Sequence, residues 1–296
     1  MSCSRLPSLA QLAAALPGLT LFAIMFALGL GLQPQALGQI RRRPALVLRV
    51  LIGSCVLVPL VALVLLKLPL SAALSPPVRF GIALMAISPS APLTLRKAGK
   101  QGGDHQLAAV LQACAAVAAI VSIPLLADLF RASFGIEGWD IGPRQVAMQV
   151  SLAQVLPLLA GLLLRRWRRG LVERLEGPLN KLANGLFLLL VLVVLIRVGP
   201  VLLPFVAANL PALGFMAVMV ATALVIGSLA AGPAPGESLT VALVTSMRNP
   251  GLALVFATTY GAGMPAIKLA VLAYLLVTVL LSAPFLRWQK GLLARV

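Results

Sequence analysis

Nine mostly apolar runs, each close to the length of a bilayer crossing, fill most of this chain and leave it few ways to fold. They lie at about 8–32, 44–66, 78–97, 106–129, 145–164, 178–198, 208–231, 238–261 and 265–286. A bilayer core is crossed by a helix of roughly 20 residues, and backbone within it must satisfy its own N–H and C=O groups. Helices do this segment by segment. The pattern therefore predicts an all-α polytopic membrane protein with about nine transmembrane helices. Composition agrees, because 60% hydrophobic residues against 10% charged cannot cover a soluble surface.

The formal charge of +17 in a soluble protein would suggest a nucleic-acid partner. Here the basic residues gather in short loops without interleaved aromatics, so lipid is the expected partner and nucleic acid is not. With the N-terminus outside, the inward loops hold Arg41, Arg42, Arg43, Arg49, Arg96, Lys97, Lys100, Arg165, Arg166, Arg168, Arg169, Arg174, Lys181, Arg287, Lys290 and Arg295. The outward side holds Arg5, Lys67, Arg79, Arg131, Arg144, Arg197 and Lys268, so sixteen basic residues face seven. That excess predicts an inner-membrane protein with its N-terminus outside and its C-terminus cytoplasmic. Arg5 ahead of Ala13-Ala14-Ala15 has the outline of a cleavable signal, but apolar sequence continues to Leu32, so a retained helix is expected. Cys3, Cys55 and Cys114 have no metal-ligand spacing and read as packing residues.

Two runs are interrupted. The third contains Ser88-Pro89-Ser90-Ala91-Pro92, and the eighth contains Thr245-Ser246-Met247-Arg248-Asn249-Pro250-Gly251. In the topology above the two spans run in opposite directions. Corresponding breaks in two oppositely oriented halves are the signature of an inverted-repeat carrier whose site lies near mid-membrane. The halves are 1–164, with the first broken helix at about 78–97, and 165–296, with the second at about 238–261, forming one integrated membrane domain. Pro89, Pro92, Pro250 and Gly251 are the expected helix breakers. Ser88, Ser90, Thr94, Thr245, Ser246 and Asn249 are the expected polar lining, although such hydroxyls also bond back to their own helices. Gln112, Gln149 and Gln154 are the other strongly polar side chains in the spans, facing a cavity or bridging helices.

Arg248 is the one basic residue deep within a span, and every Asp and Glu sits in a loop or at a span end. Its charge must be met by helix C-terminal carbonyls, by water or by a bound anion, and the planar fork suits a carboxylate. Two roles stay open on this reading, contact with an anionic substrate and a structural tie across the break. The lone His105 sits at a loop edge in a solvated or capping role. No paired carboxylates, catalytic His or metal cluster falls within the spans, so an enzyme is not expected.

The segment Thr245–Ala253, the early Ala27-Leu-Gly-Leu-Gly-Leu-Gln-Pro34, and the Ser88–Pro92 break followed by Gly102-Gly103-Asp104 resemble the bile acid:sodium symporter family over nearly the whole chain. The resemblance implies a core domain and a panel domain, with two discontinuous helices crossing in the core, and transport of organic anions that sodium commonly drives. It also implies sodium ligands around both breaks: an acid five positions before the motif Asn, an amide just before it, and a Ser-Asn pair at the first break. This chain has Val244, Arg248, and Thr94 with Leu95 at those positions. A hard cation wants several oxygens, so these residues argue against both sodium sites. No cofactor is expected.

The sequence thus predicts a membrane carrier that moves small or amphipathic organic anions by alternating access. Arg248 and Asn249 would select the anion, while Ser88, Ser90, Thr94, Thr245 and Ser246 shape the pocket. One alternative is a sodium-coupled symporter using carbonyls and hydroxyls at the breaks. A second is a non-transporting membrane sensor on the same scaffold.

Overall fold

In the computed structural model the residues described are 9–89, 91, 103–134, 143–232, 235–261 and 263–293. The expected positions Ser90, Pro92, Thr94 and Leu95 lie outside them. The described chain is a succession of helices. They are α1 (Leu9–Gly31), the short α2 (Gly38–Arg42), α3 (Pro44–Lys67), α4 (Pro76–Ile87), α5 (His105–Phe134) and α6 (Arg144–Trp167). After these come α7 (Arg169–Ala208), α8 (Leu210–Ala230), α9 (Pro235–Ser246), α10 (Pro250–Tyr260) and α11 (Ala266–Leu293). Seven described helical stretches are long and apolar enough to cross a membrane, and Ala15–Gly31, Pro76–Ile87 and Ile196–Ala208 are shorter apolar helices. The chain is an all-α polytopic membrane protein.

Prolines set many of the boundaries. Pro44, Pro76 and Pro250 stand in the first turn of their helices, where the missing N–H costs nothing. Pro59 and Pro157 act differently, each two residues past a π-helical turn, at Gly53–Leu57 and Ser151–Val155. A proline inside a helix clashes with the carbonyl four residues back, and one wide turn relieves that clash.

Two boundaries differ from the sequence reading. Pro200 and Pro204 do not open a loop before the next span, because α7 runs through both to Ala208 and only Asn209 interrupts it. Losing one ladder bond at a proline costs less than baring a loop in hydrocarbon. The basic stretch at 165–176, between the expected spans 145–164 and 178–198, is helical almost throughout. It ends α6 and begins α7 across the single residue Arg168, and Arg165 donates to Glu176 at 2.9 Å and to the Leu30 carbonyl.

The helices pack in two groups. One is a layer of α1, α6 and α7; α1 runs along both others. Glycines let its backbone touch α6: a Cβ at Gly29 would lie 2.1 Å from the Leu158 carbonyl oxygen, and one at Gly161 2.4 Å from that of Phe26. With no hydrophobic drive between helices in lipid, such close van der Waals contact holds them together. The other group contains α3, α4, α5 and α8–α11, in which α4 packs on α11 and α8 on α9. α5 joins the groups through α6, and α1 meets the second group chiefly at α10.

Candidate functional site

Ser88 and Asn249 are both followed by proline, which drives the preceding residue out of the helical region. Both adopt nearly the same extended conformation, with φ −92° and ψ 91° at Ser88 and φ −88° and ψ 94° at Asn249. α4 ends at the first, while the second separates α9 from α10. The two extended segments then pair: Asn249 N–H donates to the Ser88 carbonyl at 3.1 Å, and Ala91 N–H to that of Met247 at 2.8 Å. The breaks thus satisfy each other's backbone at their crossing.

Arg248 lies at this crossing, 2% exposed. Its Nε donates to the Met85 carbonyl at 3.1 Å and its Nη2 to that of Ala86, both in the last turn of α4. Nη1 donates to the Ser54 carbonyl at 2.9 Å and the Ser54 hydroxyl at 3.0 Å, with the Thr245 carbonyl in the last turn of α9 at 3.5 Å. Each helix C-terminus carries roughly −0.5 charge, so the two together offset about one positive charge. Helix carbonyls therefore meet the guanidinium charge, and the side chain works as a tie between α3, α4 and α9. It does not border the cavity described next.

Ser54 escaped the sequence reading, although Pro59 is its signal. In the π turn Val58 N–H reaches back to the Gly53 carbonyl, and the next residue that would serve Ser54 is Pro59, which has no N–H. The freed Ser54 carbonyl takes its hydrogen bond from Arg248 instead.

Between the two helix groups lies a cavity of about 510 Å³. Thr20, Leu21 and Ile24 of α1, Phe187, Leu190 and Leu202 of α7, and Leu272, Leu276 and Val279 of α11 help form its walls. The crossing closes one end with Ala91, Met247, Asn249, Pro250 and Gly251. The walls are almost wholly apolar; the end is not. Asn249 caps α10, its Oδ1 accepting from Leu252 N–H at 3.1 Å. That bond fixes the amide orientation, and Nδ2 is buried without a partner. Thr20 Oγ1, on the facing helix, is likewise buried without a partner.

Of the described residues expected to line the pocket, Asn249 does so, and the expected helix breakers Pro250 and Gly251 line it beside Asn249. Ser88, Thr245 and Ser246 are buried away from it, the first two with unpartnered hydroxyls and Ser246 directed to the Leu243 carbonyl at 3.5 Å. Pro89 and Val244 also lie outside its lining, Val244 fully buried within α9. The walls from α1 and α7 were not anticipated, since one more leucine in a membrane helix carries no signal.

A model of the family described as "Sodium Bile acid symporter family" matches residues 18–203, a span that includes the first break and ends before the second. No match is found among curated proteins. The matched part is more than half of the chain, and the broken helix beyond it bonds directly to the break within it. The chain therefore belongs to the sodium bile acid symporter family, a family of membrane transporters.

Proposed function

We propose that the protein carries amphipathic organic anions, holding the apolar body in the cavity and the anionic head at the crossing. The observation that carries this reading is the cavity's polarity: leucine and valine walls, ended by the N-terminus of α10, the unpartnered Asn249 amide and the unpartnered Thr20 hydroxyl. A helix N-terminus favours negative charge. Unpaired buried donors gain most from a ligand that supplies acceptors. A few placed polar groups in an apolar cleft of this size are the usual make-up of a small-molecule site. An anion with a rigid hydrocarbon body suits it better than a small, fully hydrated one.

Movement would follow from the two packing groups. The layer of α1, α6 and α7 rocks against the group bearing the crossing and exposes the cavity to each side in turn. The cavity's lining includes Pro17 of α1 and Leu202 of α7, on the side where α1 starts and α7 finishes. At the opposite end Gln106 clasps α1, donating to the Gly31 carbonyl at 3.3 Å and accepting from Gln33 N–H at 3.2 Å. The charge asymmetry puts that clasped end in the cytoplasm and the N-terminus outside.

The test is taurocholate, a bile acid with a sulfonate head, added to the purified protein and to proteoliposomes. Saturable thermal stabilisation together with uptake is expected. Stabilisation without uptake would make the protein a receptor, and the absence of both would defeat the reading.

A further inference from the structure

The family implies a coupling cation, and the described residues do not suit one. Among them no group of three His, Cys, Asp or Glu comes together, and the oxygens that accept from Arg248 are carbonyls and a hydroxyl. The oxygens best placed for a cation are already in use. Unwound backbone and half-helix C-termini at crossed breaks are what carriers of this architecture offer to sodium. Here the Met85, Ala86 and Thr245 carbonyls are such a set, the π turn of α3 adds the Ser54 carbonyl and hydroxyl, and all converge on the Arg248 guanidinium.

We propose that Arg248 is a tethered counter-cation: its guanidinium permanently fills the cation position at the crossing, so that ligand binding and transport proceed without sodium. Three observations bear on this. Among the described residues the charge is met by neutral oxygens, as a bare monovalent cation would be in such a nest. The acceptors come from three separate elements, α3, α4 and α9, so the cation organises the crossing rather than one helix. The Ser54 carbonyl, which Pro59 has no N–H to serve, accepts from Arg248 at 2.9 Å. A covalently attached cation cannot leave, so it preorganises the cavity's polar end at every stage of a cycle and removes the energy a sodium gradient would supply. The coupling part of the proposal rests on the carrier reading above; the occupancy part does not.

The experiment uses the full-length protein in detergent and in proteoliposomes, with sodium chloride exchanged for choline chloride at equal ionic strength. The ligand-free melting temperature is expected to be the same in both salts, and taurocholate stabilisation and uptake to differ by less than about twofold. Saturable sodium stabilisation of the ligand-free protein would overturn the proposal, as would taurocholate binding that appears only with sodium. Arg248→Gln removes the charge and leaves the carbonyls, and its melting temperature is expected to rise on adding sodium or low guanidinium but not choline. A purified Arg248→Gln protein indifferent to all three would show that the nest is not a cation position and overturn the proposal. Should Arg248→Gln not fold, Arg248→Lys keeps a fixed cation there and is expected to stay sodium-independent; acquired sodium dependence would overturn the proposal. Failure of taurocholate to bind in either salt would sink the carrier reading alone, because the ligand-free melting curves still report on the nest.

Discussion

Arg248 and Ser54, 194 positions apart, are joined by two hydrogen bonds from a single nitrogen, at 2.9 Å to the carbonyl and 3.0 Å to the hydroxyl. The contact exists because Pro59 cannot claim the Ser54 carbonyl for its own helix. Replacing Pro59 by Ala restores an N–H that competes with Arg248. The variant is expected to lose about 1–3 kcal/mol of stability, the usual range for a disturbed hydrogen bond to a buried charged group. A melting temperature equal to or above the parent's would show that the proline does not create the contact.

Asn249 serves two ends with two atoms: Oδ1 caps α10, and Nδ2 is unpartnered beside the cavity. Asn249→Asp keeps the cap and replaces the donor by a negative charge. Folding is expected to survive, with taurocholate affinity reduced at least about tenfold, or ~1.4 kcal/mol. Asn249→Ala is expected to lose both, including about 1 kcal/mol from the cap. Equal taurocholate affinity in the parent and the Asp variant would remove the crossing from the anion site.

Thr20→Val separates stability from binding in the opposite direction. The buried hydroxyl makes no hydrogen bond in the ligand-free protein, so an isosteric methyl is expected to leave the melting temperature unchanged or raise it. Taurocholate binding is expected to weaken by a few-fold, up to about tenfold. Loss of stability without loss of binding would assign Thr20 to packing.

Leu276 lines the cavity on α11 and is 45% exposed, so its side chain borders open space rather than close-packed neighbours. Leu276→Trp should fill part of the volume without overpacking. Calorimetry is expected to show an intact fold with taurocholate binding cut by about tenfold or more. Undiminished binding would move the ligand elsewhere.

Much of this architecture was legible from local chemistry. Apolar runs bounded by charge gave the helices, and the prolines after Ser88 and Asn249 gave the breaks, because a residue preceding proline leaves the helical region whatever surrounds it. The continuous α7 was not legible. Pro200 and Pro204 carry the same signal as Pro89, and only tertiary surroundings decide whether a helix bends past a proline or stops. The compensation of Arg248 was legible as a set of alternatives, since a chain whose acids sit in loops or at span ends must use dipoles, water or a ligand at mid-span. The choice depended on Ser54, brought there by folding. The cavity walls from α1 and α7 left no trace, because lipid-facing and ligand-facing leucines have the same composition.

The main-chain pairing of Ser88 with Asn249 and of Ala91 with Met247 joins the two breaks through peptide groups, in addition to the Arg248 side-chain tie. The pairing itself asks of these four positions only that each amide proton and carbonyl persist. Selectivity at this centre can thus be rewritten by ordinary point changes while the scaffold stays intact, and proline at 91 or 249 is the change the joint will not survive.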